Sequence, residues 1–107
     1  MYSRVVQCTV RLTRKDEFFN TLQNKVLPLA KKQPGFVDLM GWASDEHPEH
    51  LFAVTFWQTK EDAERFYRQE SPMVAMLSPL SESTVTEHYY VPISTAHRIA
   101  TSPAAAA

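Results

Sequence analysis

Apolar and polar residues alternate from the second position onward. Tyr2, Arg4, Val6, Cys8, Val10 and Leu12 fall on one side, and Ser3, Val5, Gln7, Thr9 and Arg11 on the other. A period of two with one mostly apolar side predicts a half-buried strand over residues 2–12. The period then changes. Phe18, Phe19, Leu22, Val26, Leu29 and Ala30 recur at helical spacing and predict a helix that runs to Gln33. Thr13 offers its hydroxyl as an N-cap, and Asp16 and Glu17 bring negative charge to the positive helix end. Pro28 is expected to break or kink this helix near its end, because it has no amide hydrogen and crowds the preceding turn. Pro34-Gly35 stops it.

Residues 36–44, FVDLMGWAS, predict a second strand, apolar on both faces apart from Asp38. The polar run from Asp45 to His50 is a connection of hairpin size or slightly longer, and residues 51–57, LFAVTFW, form the most hydrophobic strand. Thr59 and Asp62 repeat the spacing of Thr13 and Asp16. They open a second helix with Ala63, Phe66 and Tyr67 inside and Glu61, Glu64, Arg65 and Arg68 outside. Ser71-Pro72 restarts the helix, proline suiting a first turn, and Met73, Met76, Leu77 and Leu80 point inward. Residues 83–91 read as the last strand. From Pro92 the chain has no periodicity and ends in an alanine tail, so residues 1–92 form the domain and residues 93–107 an extension expected to be flexible.

The order β-α-β-β-α-β, with right-handed crossovers, predicts an α+β, ferredoxin-like fold: a four-stranded antiparallel sheet with both helices on one face. If the even positions of every strand face the helices, Val5, Val37, Leu39, Ala53 and Trp57 lie on the uncovered face. An apolar sheet face rarely stays in water. A homodimer with two sheets packed face to face is therefore expected.

Composition narrows the function. With Gly35 and Gly41 as the only glycines, the chain has neither a phosphate-cradling loop nor a dinucleotide-binding turn. Its single cysteine, Cys8, excludes a redox pair and an internal disulfide. Eleven basic residues against twelve acidic ones give no field for a polyanion, so nucleic acid is not an expected partner. The N-terminal stretch alternates instead of running apolar, and the longest internal apolar runs are far short of the ~20 residues of a membrane span. A cytoplasmic protein without membrane contact is the expectation.

Pro34-Gly35-Phe36 begins the second strand, and the run from Phe56 to Ala63, FWQTKEDA, crosses from strand three into helix two, with Phe66-Tyr67 following. With the topology, these segments resemble the antibiotic biosynthesis monooxygenase (ABM) domain family of dimeric α+β barrel proteins. The resemblance covers roughly residues 2–91, and its motifs are a turn, a strand end and a capped helix start. It implies a homodimer with a pocket in each subunit between sheet and helices. It also implies the family's chemistries: cofactor-free oxidation of aromatic polyketides or quinols, haem degradation, or no known activity. In the haem-degrading branch an Asn on strand one, a Trp on helix two and a His near its end form the site. Those positions here hold Cys8, Phe66 and Met76, which depart from that pattern.

Oxygenation without a cofactor needs a substrate held as its phenolate or enolate, a group that tunes that ionisation, and a dry cavity. His88 and Tyr90, on one face of strand four, are the expected proton-handling pair; the plainer reading has them exposed or packed at the dimer interface. Trp42 and Trp57 offer flat surfaces for an aromatic molecule, or serve as core and interface packing. Phe66, Tyr67, Met73 and Met76 make a stripe that is either core or pocket wall. Arg4 and Arg11 neutralise an anionic substrate or merely pair with Glu87. Cys8 reads as a buried small hydrophobe that borders the pocket, with a raised pKa, and its approach to His88 depends on the pairing of strands one and four. His47 and His50, separated by Pro48-Glu49, belong to a solvated loop and not to a metal site. The sequence thus points to a cofactor-independent monooxygenase for an aromatic, quinol-like or polyketide substrate. The alternative is a non-catalytic dimeric barrel that binds a small apolar ligand or has a structural role.

Overall fold

The computed structural model describes residues 1–69 and 72–96, with side chains omitted for residue 69 and residues 72–74. The four strands are β1 (Tyr2–Thr9), β2 (Phe36–Ala43), β3 (His50–Trp57) and β4 (Ser83–Tyr90). They form one antiparallel sheet in the order β2-β3-β1-β4, the ferredoxin-like arrangement, with the helices on one face. The first helical stretch joins α1 (Lys15–Thr21), a π-helical turn (Leu22–Val26) and α2 (Leu27–Lys31). The second joins α3 (Lys60–Gln69), α4 (Pro72–Leu77) and a 3-10 turn at Ser78–Leu80.

Two local expectations at the first helix need correction. Thr13 does not cap it: the residue lies in a 3-10 turn at Leu12–Arg14, and the entry to α1 has no side-chain cap. Arg14 instead pairs with Glu17 across 3.1 Å. Pro28 does not break the helix, although the α-helical pattern gives way locally just before it. The π-helical turn just before it widens the spiral, so the absent amide hydrogen and the ring are accommodated within a continuous path. The second helix starts as expected, with the Asp62 amide donating to Thr59 Oγ1 at 3.1 Å and Thr59 Oγ1 donating to Asp62 Oδ2 at 2.8 Å.

Gly35 joins these elements. Its φ is +79°, and a β-carbon there would stand 2.0 Å from Asp62 Oδ2, so only glycine permits the Pro34-Gly35 turn to sit on the start of α3. Gly41 serves close packing instead. A β-carbon there would come within 2.9 Å of the Phe19 ring, so its bareness lets the first helix lie close on β2.

The core lies between the sheet and the helices. Val6 and Cys8 of β1 and Leu51, Ala53 and Trp57 of β3 meet Phe18, Leu22, Val26 and Ala30 of the first helix. Ala63 and Phe66 of α3 and Leu77 and Leu80 beyond it complete the core. This corrects the expected uncovered face. Register sets Tyr2 opposite Trp57 and Val6 opposite Ala53, so the odd positions of β3, including Ala53 and Trp57, face the helices. In β2 an irregularity at Val37 shifts the register between Phe36 and Asp38, which turns Leu39 to the helix side as well. Of the five residues expected on the open face, Val5 lies there. It is joined by Phe52, Val54 and Phe56 of β3, Met40 and Trp42 of β2, and Val85 and Tyr89 of β4.

Candidate functional site

The strand-one expectation that Arg4 pairs with Glu87 fails on parity. Arg4 stands opposite His88 and faces the helices, whereas Glu87 stands opposite Val5 on the other face, where it accepts a hydrogen bond from Tyr89. Arg11 pairs with Glu82 across 3.1 Å. The register also separates Cys8 from His88, because Cys8 lies opposite Thr84. Cys8 is fully buried, and that burial pushes its thiol pKa up, partly offset by a hydrogen bond to Ser81.

At the opposite end of β1, the side chains of Tyr2, Arg4 and His88 share the helix-facing side. Above them runs α3, and its Lys60, Glu64, Tyr67 and Arg68 follow the i, i+4, i+7, i+8 spacing of one helical stripe. The strand residues and this stripe line an open cleft of about 500 Å³, within the ordinary volume range for a small-molecule site, with His88, Tyr67 and the three charged helix residues exposed at its walls. The neighbouring stripe of the same helix, Ala63 and Phe66, turns into the core, with Phe66 5.0 Å from the Trp57 ring. Thus α3 presents its apolar stripe to β3 and its polar stripe to the β1–β4 corner.

Arg4 is the floor of this cavity. The residue is only 6% exposed, and its guanidinium carbon lies 2.9 Å from the centroid of the Tyr67 ring. Its Nε has no hydrogen-bond partner, and it makes no ion pair with a carboxylate among the described residues. Burial pulls its pKa down, while Tyr67 and Tyr2 act in the opposite sense. Two further sealed polar atoms lie beside it without partners: Thr55 Oγ1, opposite Arg4 in register, and Trp57 Nε1, opposite Tyr2.

His88 stacks on Tyr2 with ring centroids 5.9 Å apart and planes 15° from parallel. Partial loss of solvent and the Arg4 charge hold its pKa below the usual value; Glu64 opposes this and Lys60 reinforces it. At neutral pH the imidazole is therefore uncharged and able to accept a proton.

The structure brings His88 and Tyr67 together at this cavity and places Trp57 and Phe66 in the core immediately behind it. Tyr90 shares the face of His88 and meets Tyr2 edge-on at 5.6 Å, but it is 68% exposed and does not border the cavity. Trp42 lies on the open sheet face, 6.4 Å from Phe52. Met76 packs against the core, and the Met73 side chain lies outside the described residues. Cys8, Phe66 and Met76, at the haem-branch positions, therefore offer the cavity no haem ligand. His47 in the connection and His50 at the start of β3 have ring centroids 5.2 Å apart, and no cluster able to hold a metal occurs among the described residues. Glu64 and Arg68 line the cavity although their charge suggested a solvated face, and Lys60 joins them. Their shared helical stripe with Tyr67 was the available signal.

No family model matches the chain, and neither does any curated protein. Solved structures do. A putative antibiotic biosynthesis monooxygenase from Bordetella bronchiseptica aligns with a TM-score of 0.72 at 16% identity, over 84% of this chain and 95% of its own. SnoaB, a cofactor-independent oxygenase from Streptomyces nogalater, aligns at 0.69 and 14% identity over 90% and 97%. The haem degrader MhuD from Mycobacterium tuberculosis, with two haems in its active site, aligns at 0.71 and 15% identity over 89% and 99%. The chain has the fold of the ABM domain proteins.

Proposed function

We propose that this protein is a cofactor-independent monooxygenase acting on a small aromatic, quinol-like or polyketide substrate, with one active cavity per subunit of a homodimer. The observation that carries the reading is the convergence of His88, Arg4 and Tyr67 on one cavity between sheet and helix. A barrel built only to hold an apolar molecule calls for Phe and Met walls, whereas this lining is charged and aromatic. The fold neighbours support the same class, since SnoaB is described as a cofactor-independent oxygenase.

Neutral His88 removes the proton from a substrate hydroxyl, and the excess of positive charge around the cavity stabilises the resulting phenolate. The electron-rich ring then passes an electron to dioxygen, and recombination forms the carbon–oxygen bond. The ring carbon then loses its C–H proton as the O–O bond breaks, so one oxygen atom stays on that carbon as a carbonyl and the other leaves as water with that proton and the one taken from the hydroxyl. Tyr2 and Tyr67 hold the ring plane.

The open sheet face supports the dimer. Met40, Trp42, Val85 and Tyr89 are each at least 38% exposed on it, around a fully buried Val54. Packing two such faces together removes this apolar surface from water.

The test is oxygen uptake with a panel of hydroquinones and anthrones. Turnover above buffer is expected with at least one of them, reduced roughly a hundredfold or more in His88→Ala. No turnover with any member overturns the enzyme reading for these substrates.

A further inference from the structure

We propose that the corner cavity is built for an aromatic molecule carrying a carboxylate, and that Arg4 is the fixed cation receiving that group. The inference rests on the reading of this cavity as a substrate site and adds the chemical class of the substrate. Arg4 is one of three buried polar residues among those described, and the other two differ from it in kind. Ser3 is satisfied, donating from Oγ to the Thr55 carbonyl at 3.1 Å, and Thr55 is neutral. Arg4 alone brings a full charge inside; its Nε is sealed in the wall, the residue lines the cavity, and no carboxylate pairs with it among the described residues.

A buried cation without a counter-ion is costly, so an arriving anion gains both its charge attraction and its hydrogen bonds. The surroundings favour an anion too. Arg4, Lys60 and Arg68 line the cavity against the single carboxylate of Glu64, and Glu64 is turned to Lys60, 4.0 Å away. A planar guanidinium forks onto a planar carboxylate in a way no point charge does. One such fork suits a carboxylate better than a phosphate, whose greater charge asks for more donors than this floor offers. Tyr67 over Arg4 and the Tyr2–His88 stack then supply the flat surfaces for the ring that bears the carboxylate.

Calorimetric titration at pH 7 with a hydroxynaphthoic acid, its methyl ester and acetate tests this on the unmodified chain first. The acid is expected to bind at least about tenfold more tightly than the ester, as a charge-assisted bidentate pair requires. Acetate at the same concentrations is expected not to displace it. In Arg4→Met the acid is expected to lose that advantage while the ester keeps its affinity. Lys60→Ala, an exposed rim change, should trim the acid's advantage two- to threefold and serves if the first variant fails to fold. Equal binding of acid and ester, no saturable binding, displacement by acetate, or an advantage that survives Arg4→Met each overturns the proposal. Oxygen uptake on the same samples separates the two readings. Tight acid binding without oxygen consumption keeps the anion site and removes the oxygenase, whereas oxidation of neutral hydroquinones as fast as acids does the reverse.

Discussion

Arg4, His88 and Gly35 each show how one residue's role depends on a partner distant in sequence. Arg4 sits on the apolar side of an alternating strand, where the pattern alone leaves it either to neutralise an anionic substrate or to pair with Glu87; its burial comes from α3 closing over it with Tyr67. The placement of His88 and Tyr90 on one face of strand four was legible, but the cause of the lowered His88 pKa was not, because Arg4 faces it only through the β1–β4 register. Since folding depresses its pKa, the folded chain holds fewer protons there than the unfolded one. The small stability contribution of this exposed group and its availability as a base are both expected to be present above the ordinary value of about 6.5 and to be lost as the pH falls through the lower, folded-state value. A pH–rate profile should therefore rise on its acid limb with an inflection below 6.5, and that limb should vanish in His88→Ala. Gly35→Ala combines a positive φ with a collision against Asp62, and it is expected to cost at least about 1–2 kcal/mol in urea unfolding.

The elements were read from periodicity alone with ends shifted by few residues, because amphipathic patterns of both periods are strong in this chain. Which face each strand presents was not readable in the same way. Parity belongs to each strand separately: the β2–β3 connection sets the phase of β3, and the irregularity at Val37 inverts β2 from its second residue onward. Pro28 distorts the helix without breaking it for a related reason, since a π-helical turn absorbs it and propensity rules describe an unmodified spiral. The α3 cap was legible because Thr59 and Asp62 act locally. Thr59→Ala is expected to lower stability by about 1 kcal/mol in thermal or urea unfolding, while Thr13→Ala, which removes no cap, should have little effect.

At the scale of the molecule, two surfaces of one sheet divide the work. The helix side holds the core and, at the β1–β4 corner, the cavity; the other side carries the exposed Trp42, Val85 and Tyr89. The dimer is expected to show in light scattering at micromolar concentration as twice the 12.2 kDa chain mass, and Trp42→Glu is expected to shift it toward monomer. Among the described residues no helix is long and apolar enough to cross a membrane. The β-α-β-β-α-β order followed from the chain pattern, whereas the cavity needed Tyr2, Arg4, Tyr67 and His88 to be placed by three separate elements. The central claim is that this corner is where the small molecule binds. A crystal structure of the protein soaked with a hydroxynaphthoic acid tests it most directly. The ring is expected between α3 and the β1–β4 corner, against Tyr67 and His88, with an oxygen on Arg4. A ligand seated on the open sheet face, or elsewhere away from Arg4 and His88, would contradict the account.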